Sequence, residues 1–151
     1  CYEWEHVLVV PPSHQLATKE RIGLDDLAIE PLITYHPSFT GRNKIDAAFA
    51  ARQLHPRVVL EAIDSDVIKT YVRLGLGVGI VAEMAMREDP GVDLVARPLG
   101  HLFGQSVARV AFKRGAYLRN FVYKFTETVS DRLSRDLIIR AMQGEPSDYS
   151  Q

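Results

Sequence analysis

The sequence has few of the features that mark secreted, membrane-embedded or strongly charged proteins. Only one of its 151 residues is a cysteine, Cys1, which excludes an internal disulfide framework and favours a reducing compartment. No apolar run is long enough to span a bilayer. The formal net charge is −1, so overall electrostatics favour neither a nucleic acid nor a membrane as a partner. We therefore expect a cytoplasmic protein with no membrane partner.

Patterns that would indicate catalysis or metal binding are also missing. None of the five histidines forms a pair at the spacing of a helical zinc site, so we expect no metal and no cofactor. The glycine run from Gly75 to Gly79 follows a predicted helix and precedes a predicted strand, the reverse of a dinucleotide-binding turn. Asp64 and Asp66 are better explained as helix caps than as an acid–base pair. The sequence therefore indicates a binding protein rather than an enzyme.

The chain does contain a regular alternation of apolar, β-rich runs with helical patterns. Such an alternation predicts an α/β fold with a mostly parallel central sheet flanked by helices. A loop is expected at residues 13–20 and a turn at 88–91. The predicted strands are 6–10, 31–35, 57–62, 77–82, 92–99 and 106–112, and the predicted helices are 23–29, 43–54, 67–74, 83–87 and 117–133.

The longest predicted helix, 117–133, carries one apolar stripe at helical spacing. We expect this stripe to stay exposed or to pair with another chain, because nothing else in the chain is predicted to cover it. From Gly144 the sequence is polar, which is typical of a disordered tail. The stripe consists of Leu118, Phe121, Val122, Phe125, Val129 and Leu133.

The most informative segment is the loop of residues 34–42, which joins a predicted strand to a predicted helix. Helix N-termini carry unpaired N–H groups and a partial positive charge, so they bind small anions readily. Ser38 or Thr40 could donate a hydroxyl to such an anion, and Gly41 lets the backbone approach closely. Arg42 could add charge and a two-pronged donor. This loop is therefore the candidate ligand-binding site.

The same loop has simpler interpretations. His36 could sense the charge of a bound anion, or it could be an ordinary loop histidine near solvent. Thr40 could be only a helix cap, and Arg42 only a surface residue. The sequence pattern leaves these alternatives open.

Three segments carry a resemblance to a known family. They are residues 31–35 (PLITY), 39–42 (FTGR) and 64–80 (DSDVIKTYVRLGLGVGI). Together they resemble the effector-binding region of LysR-type transcriptional regulators and, within that family, the CysB/Cbl branch that regulates sulfur assimilation. Trp4 and residues 9–17 (VVPPSHQLA) support the likeness, which covers about residues 1–135.

The resemblance implies a periplasmic-binding-protein-like fold of type 2, in which two α/β lobes enclose a small effector. On this basis residues 1–11 are expected to form a crossover strand from lobe I, and 12–104 the effector-binding lobe II. Residues 105–140 would supply a returning strand and a helix of lobe I, and 141–151 a disordered tail. The chain would then be a segment of a longer bacterial regulator.

The resemblance also implies ligands and partners. The effectors would be sulfate, thiosulfate and O- or N-acetylserine, and Thr40 matches the family's sulfate-contacting threonine, beside Gly41 and Arg42. Operator DNA would be bound only through a helix-turn-helix domain that these residues do not include. The full-length protein would be a homo-oligomer, a tetramer.

One departure from the family pattern leaves the ligand open. Residues 36–38 differ from the usual residues before the FTGR element, so the preferred sulfur metabolite is not determined. The alternatives are a LysR regulator of another pathway with an organic-acid effector, and a solute-binding protein of a transporter. An enzyme on the same fold would need a catalytic acid or a covalently held cofactor, for which the sequence offers no candidate.

Overall fold

A five-stranded mixed sheet forms the centre of the larger of two units in the computed structural model, which describes residues 1–87 and 93–144. This unit comprises Trp4–Ser106. The other unit combines Cys1–Glu3 with the described residues from Val107 onward. The predicted turn at 88–91 lies outside the described residues, and so do residues 145–151 of the predicted tail.

Seven strands are present in the described part of the chain. They are β1 (Tyr2–Trp4), β2 (His6–Val10), β3 (Pro31–Tyr35), β4 (Arg57–Ala62), β5 (Val78–Ala82), β6 (Val95–Pro98) and β7 (Ser106–Ala108). The central sheet has the order β4-β3-β5-β2-β6, and β1 pairs with β7 in a separate two-stranded sheet. Strand β3 is parallel to β4 and β5, whereas β2 is antiparallel to β5 and β6. In the central sheet β2 therefore runs against the other four strands, in agreement with the predicted α/β fold and mostly parallel sheet.

The helices are α1 (Gln15–Thr18), α2 (Leu24–Ala28), α3 (Thr40–Ala51), α4 (Ser65–Arg73), α5 (Gly100–Phe103), α6 (Asn120–Val129) and α7 (Arg135–Gln143), with a 3₁₀ turn at Glu83–Met86. Helices cover both faces of the central sheet. On one face Leu8 and Val10 of β2 pack with Ile45 and Phe49 of α3, and on the other face Val9 packs with α4. The alternation along β2 places successive side chains in opposite layers of the core.

Several predicted boundaries were wrong. The predicted loop at 13–20 contains α1, whose first turn is capped by the His14 side chain accepting the Leu16 amide. Helix α3 begins at Thr40 rather than at residue 43, because Phe39 takes the N-cap position without a side-chain cap. Strand β7 stops at Ala108, since its partner β1 is only three residues long.

The carboxyl-terminal part was also mispredicted. A single helix at 117–133 was expected, but α6 ends at Val129 and a second helix, α7, follows it. Ser134 caps α7 by accepting the Leu137 amide. Because α7 extends to Gln143, the residues expected as a tail from 141 onward are helical up to that point. Within the described residues, no helix combines the length and apolarity needed to cross a membrane.

The apolar stripe on α6 is exposed. Phe121 and Phe125 keep 63% and 69% of their surface accessible, and Val129 is exposed as well. Exposed apolar area of this kind is typical of a surface that another segment or chain covers. The expected exposure is therefore observed for these three residues, whereas Leu118, Val122 and Leu133 of the stripe are half-buried.

The glycine run after α4 ends the helix and allows close packing. Asp64 caps α4 by accepting the Asp66 amide, and Gly75 takes a left-handed conformation with φ of 76° just beyond the helix. At Gly79 of β5, a Cβ atom would lie 2.9 Å from Cγ2 of Val72 and 3.0 Å from Cγ2 of Ile68. Helix α4 therefore packs on the sheet at a distance that only glycine permits.

We expect Gly79→Ala to lower the free energy of unfolding by about 1–3 kcal/mol, because the β-branched side chains of Val72 and Ile68 cannot move aside easily. Urea denaturation measures the change. Gly23→Ala is the matched control, since a Cβ atom there would meet only Oδ2 of Asp26 at 3.6 Å. Equal stability of the two variants would contradict the close packing of α4.

Candidate functional site

The loop predicted to bind an anion lies at the edge of the sheet where three parallel strands end. Strands β3, β4 and β5 run in the same direction, and they end at Tyr35, Ala62 and Ala82. Helices α3 and α4 begin close to the first two of these strand ends. Ligands of open α/β sheets bind at the carboxyl ends of the strands. The sequence therefore places the candidate loop where the topology favours a site.

The N-termini of α3 and α4 differ in charge. Helix α4 has Asp64 as its cap and Asp66 in its first turn, so carboxylates already balance its positive end. Helix α3 is longer, with twelve residues, yet it has no acidic residue in its first turn and no side-chain cap on Phe39. The partial positive charge at its N-terminus is therefore not balanced by a carboxylate in the first turn.

Three of the predicted site residues are exposed at this helix end. Nδ1 of His36 accepts the Ser38 amide at 3.2 Å and lies 3.0 Å from the Ser38 hydroxyl oxygen, so these two side chains hold each other in the loop. Thr40 is the first residue of α3 and is exposed. Thr40 is not the cap, because Phe39 occupies that position. The structure thus brings two hydroxyls and an imidazole to the start of α3.

Arg42 is not the surface residue that the sequence left possible. Its surface is only 7% accessible, and its guanidinium donates to three acceptors. Nε contacts Oδ1 of Asp46 at 2.7 Å, while Nη1 contacts Oε1 of Glu61 and the Tyr35 carbonyl, both at 2.8 Å. Burial opposes the charge, but the hydrogen bonds to Asp46 and Glu61 outweigh it and raise the pKa of Arg42. The side chain therefore ties the first turn of α3 to the ends of β3 and β4.

Gly41 is required for packing as well as for access. A Cβ atom at this position would lie 3.0 Å from Nε2 of His6 and 3.3 Å from Cη2 of Trp4. A side chain at residue 41 would therefore require the rings of His6 and Trp4, or the first turn of α3, to shift slightly. The sequence prediction gave Gly41 a role toward the ligand, and its contacts on the opposite side were missed.

His6 is the residue at this site that sequence reasoning missed. Its ring is fully buried and packs edge-to-face with Trp4 and Phe103, at centroid distances of 5.1 and 5.7 Å. Neither ring nitrogen has a hydrogen-bond partner among residues 1–87 and 93–144. Burial, and to a smaller extent the charge of Lys44, lowers the pKa of His6 from 6.5 to about 4. Its period-two alternation with Leu8 and Val10 was the signal that could have placed it in the core.

The described residues offer no alternative site of metal chemistry. Among them, no three side chains of histidine, cysteine, aspartate or glutamate lie close enough together to hold a metal ion. The groups that converge at α3 are donors and a helix N-terminus, which suit an anion rather than a cation.

Comparison with known proteins gives consistent matches. A family model described as the LysR substrate binding domain matches residues 1–134. The chain is 54% identical to the transcriptional regulator CysB of Burkholderia cenocepacia, over 99% of this chain and 48% of that protein. It is 46% identical to SsuR of the same organism over 89% of this chain, and 43% identical to Cbl of Escherichia coli over 92%. The alignments cover 44% of each of those two proteins, so the chain spans about half the length of these curated relatives.

Solved structures agree with these matches. The cofactor-binding domain of the Cbl transcriptional regulator superposes with a TM-score of 0.80 and 41% identity, over 93% of this chain and 62% of that one. The regulatory domain of Synechocystis CcmR has a TM-score of 0.71 at 17% identity, over 88% and 64%, and so supports the fold alone. The resemblance to LysR-type regulators of the CysB/Cbl branch and the periplasmic-binding-protein-like fold are confirmed. These relatives are transcriptional regulators, as expected for a chain that is not an enzyme.

We expect Arg42→Ala to lower the free energy of unfolding by about 2 kcal/mol, because it leaves two carboxylates and a carbonyl without their donor. Arg42→Lys should lose about half as much, since an ammonium keeps the charge but cannot reach all three acceptors. Urea denaturation at neutral pH measures both. A loss below about 0.5 kcal/mol for Arg42→Ala would contradict the clamp.

We expect stability to fall as the pH drops from 6.5 to 4, because the unfolded chain then binds a proton at His6 that the folded protein rejects. The loss attributable to His6 is up to about 3 kcal/mol, and none of it appears above pH 7. Denaturation of wild type and His6→Phe at several pH values isolates this contribution. Parallel stability curves would show that His6 titrates normally in the folded protein.

Proposed function

Because the chain belongs to the family of LysR substrate-binding domains, we propose that it is the effector-sensing part of a bacterial transcriptional regulator of sulfur assimilation. The names of its relatives support this proposal, since CysB, SsuR and Cbl are HTH-type transcriptional regulators. In the full-length protein, a helix-turn-helix domain outside these residues would bind operator DNA in the cytoplasm. The described residues would supply the ligand signal.

The ligand site in this proposal is the N-terminus of α3, with Thr40 as the principal side chain. The observation that carries it is the contrast between α3 and α4, because α3 is the one of these two helices that begins without a carboxylate. The Thr40 hydroxyl is exposed, and it has no hydrogen-bond partner within the described parts of the chain. Sulfate offers only acceptor oxygens, so a free hydroxyl and unpaired N–H groups are the donors that it needs.

The remaining loop residues would have different roles in this site. The Ser38 hydroxyl and the His36 ring are exposed beside Thr40, where they could contact the part of a ligand that extends from the helix end. Gly41 would contribute its backbone N–H. Arg42 adds positive charge behind the first turn, although Asp46 and Glu61 take three of its five N–H groups together with the Tyr35 carbonyl. Arg42 would therefore position the turn more than it contacts the ligand.

Sulfate, thiosulfate and O- or N-acetylserine are the proposed effectors. All carry an anionic group whose oxygens accept hydrogen bonds, so each could place that group at the start of α3. The acetylserines would also extend beyond the helix end, and the loop at 36–38 would then contribute to selectivity. The N-terminus of α3 could accept the anionic group of each of these ligands, so binding measurements have to distinguish between them.

The regulatory step would be a change in the balance between two conformations. Residues 12–104 would form lobe II, 1–11 and 105–140 would belong to the crossover and lobe I, and the ligand would favour the closed form. A ligand can shift such an equilibrium only by its difference in affinity for the two forms. A tenfold shift needs about 1.4 kcal/mol, which one charge-assisted hydrogen bond can supply.

A homo-oligomer, a tetramer in the full-length protein, is part of this proposal. Exposed apolar residues lie at helical spacing along α4, among them Val67 and Tyr71, in addition to those on α6. Such surfaces favour association with another part of the full-length protein or with a second copy of it.

We expect Thr40→Ala in the full-length protein to weaken sulfate binding about tenfold without loss of stability, because one charge-assisted hydrogen bond is removed from an exposed position. Calorimetric titration at fixed ionic strength measures the affinity. Thr70→Ala is the matched control, since Thr70 is an exposed helical threonine whose hydroxyl bonds only to the Asp66 carbonyl.

Unchanged affinity in Thr40→Ala would contradict the proposed site. A ligand panel in the same experiment tests the proposed pathway, with sulfate, thiosulfate, O-acetylserine, N-acetylserine and benzoate-type acids. Binding of an organic acid alone would keep the family and overturn the sulfur assignment.

A further inference from the structure

We propose that His6 takes part in the anion site from behind the first turn of α3, and that it binds a proton when an anion binds. This inference rests on the proposed function, because it requires an anion at Thr40 and Gly41. It adds a residue to the site and predicts that ligand binding depends on pH.

The first observation is the chemical state of the His6 ring. A neutral imidazole has one N–H donor and one acceptor nitrogen, and buried groups of this kind are nearly always hydrogen-bonded. His6 is fully buried, yet neither nitrogen has a partner in residues 1–87 and 93–144. The packing against Trp4 and Phe103 satisfies the ring faces and edges but not the nitrogens. A polar group is thus held in the core without the contacts that usually accompany one.

The second observation is the position of the ring. Nε2 points at Gly41, the second residue of α3, and lies 3.0 Å from where a Cβ atom would be. The imidazole therefore adjoins the helix end at which an anion is proposed to bind. Because residue 41 has no side chain, the ring can approach the backbone of the first turn of α3 directly.

The charges around His6 favour its neutral form when no anion is bound. Lys44 of α3 is the charged side chain that acts on it, and the helix N-terminus adds a partial positive charge. Trp4 and Phe103 are uncharged, and the carboxylate of Glu5, the adjacent residue, lies against Gly100 at the start of α5. Burial and Lys44 together account for the pKa of about 4.

A bound anion would reverse this balance. Negative charge near an imidazole raises its pKa, since it stabilises the protonated form. By linkage, a ligand that raises the pKa of His6 must bind more tightly as the pH falls. For each unit by which the anion raises the pKa of His6, lowering the pH can strengthen binding by up to tenfold. The full gain is reached when the pH falls from neutral to below the pKa of His6 in the free protein.

Calorimetric titration of the full-length protein with sulfate tests this inference. The titrations are run at pH 5.0, 6.0 and 7.5 and at fixed ionic strength, in buffers of different ionisation enthalpy, which reveals any proton taken up. We expect wild type to bind sulfate several-fold more tightly at pH 5.0 than at 7.5, with proton uptake. His6→Phe keeps an aromatic ring in the core and should bind sulfate with little pH dependence.

His55→Phe is the matched control, because His55 is an exposed histidine between α3 and β4, outside the proposed site. It should retain the pH dependence of wild type. Loss of the pH dependence in His55→Phe, and not in His6→Phe, would overturn the inference by assigning the proton to the exposed ring.

The remaining outcomes separate the two proposals. Sulfate binding that is weakened by Thr40→Ala but shows no pH dependence and no proton uptake would overturn the role of His6 and keep the proposed function. No binding of sulfate, thiosulfate, O-acetylserine or N-acetylserine at any pH would overturn both. If His6→Phe fails to fold, proton uptake by wild type and His55→Phe still decides the inference, and a ring-proton NMR titration with and without sulfate identifies the histidine.

Discussion

The parallel pairing of β3 with both β4 and β5 is the constraint on which the candidate site depends. Because the three strands point the same way, their carboxyl ends meet at one edge, and the helices that follow β3 and β4 begin there. Gly79 allows α4 to pack closely on this sheet, while α3 packs on the opposite face through Ile45 and Phe49. The site is therefore a consequence of strand direction rather than of any single residue.

Charge distinguishes the two helix ends that this topology brings together. Asp64 and Asp66 balance the N-terminus of α4, whereas α3 begins with Thr40 and Gly41 and has its cationic residue, Arg42, buried beneath the turn. The carboxylates of Asp46 and Glu61 hold that guanidinium in place, so part of its charge is used inside the protein. The anion of the proposed function would bind at a helix end whose first turn is already clamped, so little of the backbone would have to be ordered on binding.

The first turn of α3 adjoins an energetically unfavourable feature on the side that faces the core. His6 lies in the core without hydrogen-bond partners within the described residues, and it approaches Gly41 so closely that a side chain there would require its neighbours to shift. Buried polar groups without a partner are rare in native proteins, and function is one of the reasons for which they are retained. Gly41 thus lies between the core and the helix end of the proposed site, and a substitution at this position would disturb the packing of His6 and Trp4.

The sequence by itself determined the order of strands and helices in residues 23–82, the capping of α4, the left-handed Gly75 and the family. These depend on local signals, namely alternation, helical spacing and caps, which act between residues close together in the chain. Only the tertiary structure decided that Arg42 is buried against Glu61, that His6 faces Gly41, and that α7 follows α6. The first two contacts join residues on different elements, 19 and 35 positions apart in the chain. Helix α7 begins at the Ser134 cap, in a segment whose charged residues made its helical spacing of apolar residues hard to recognise.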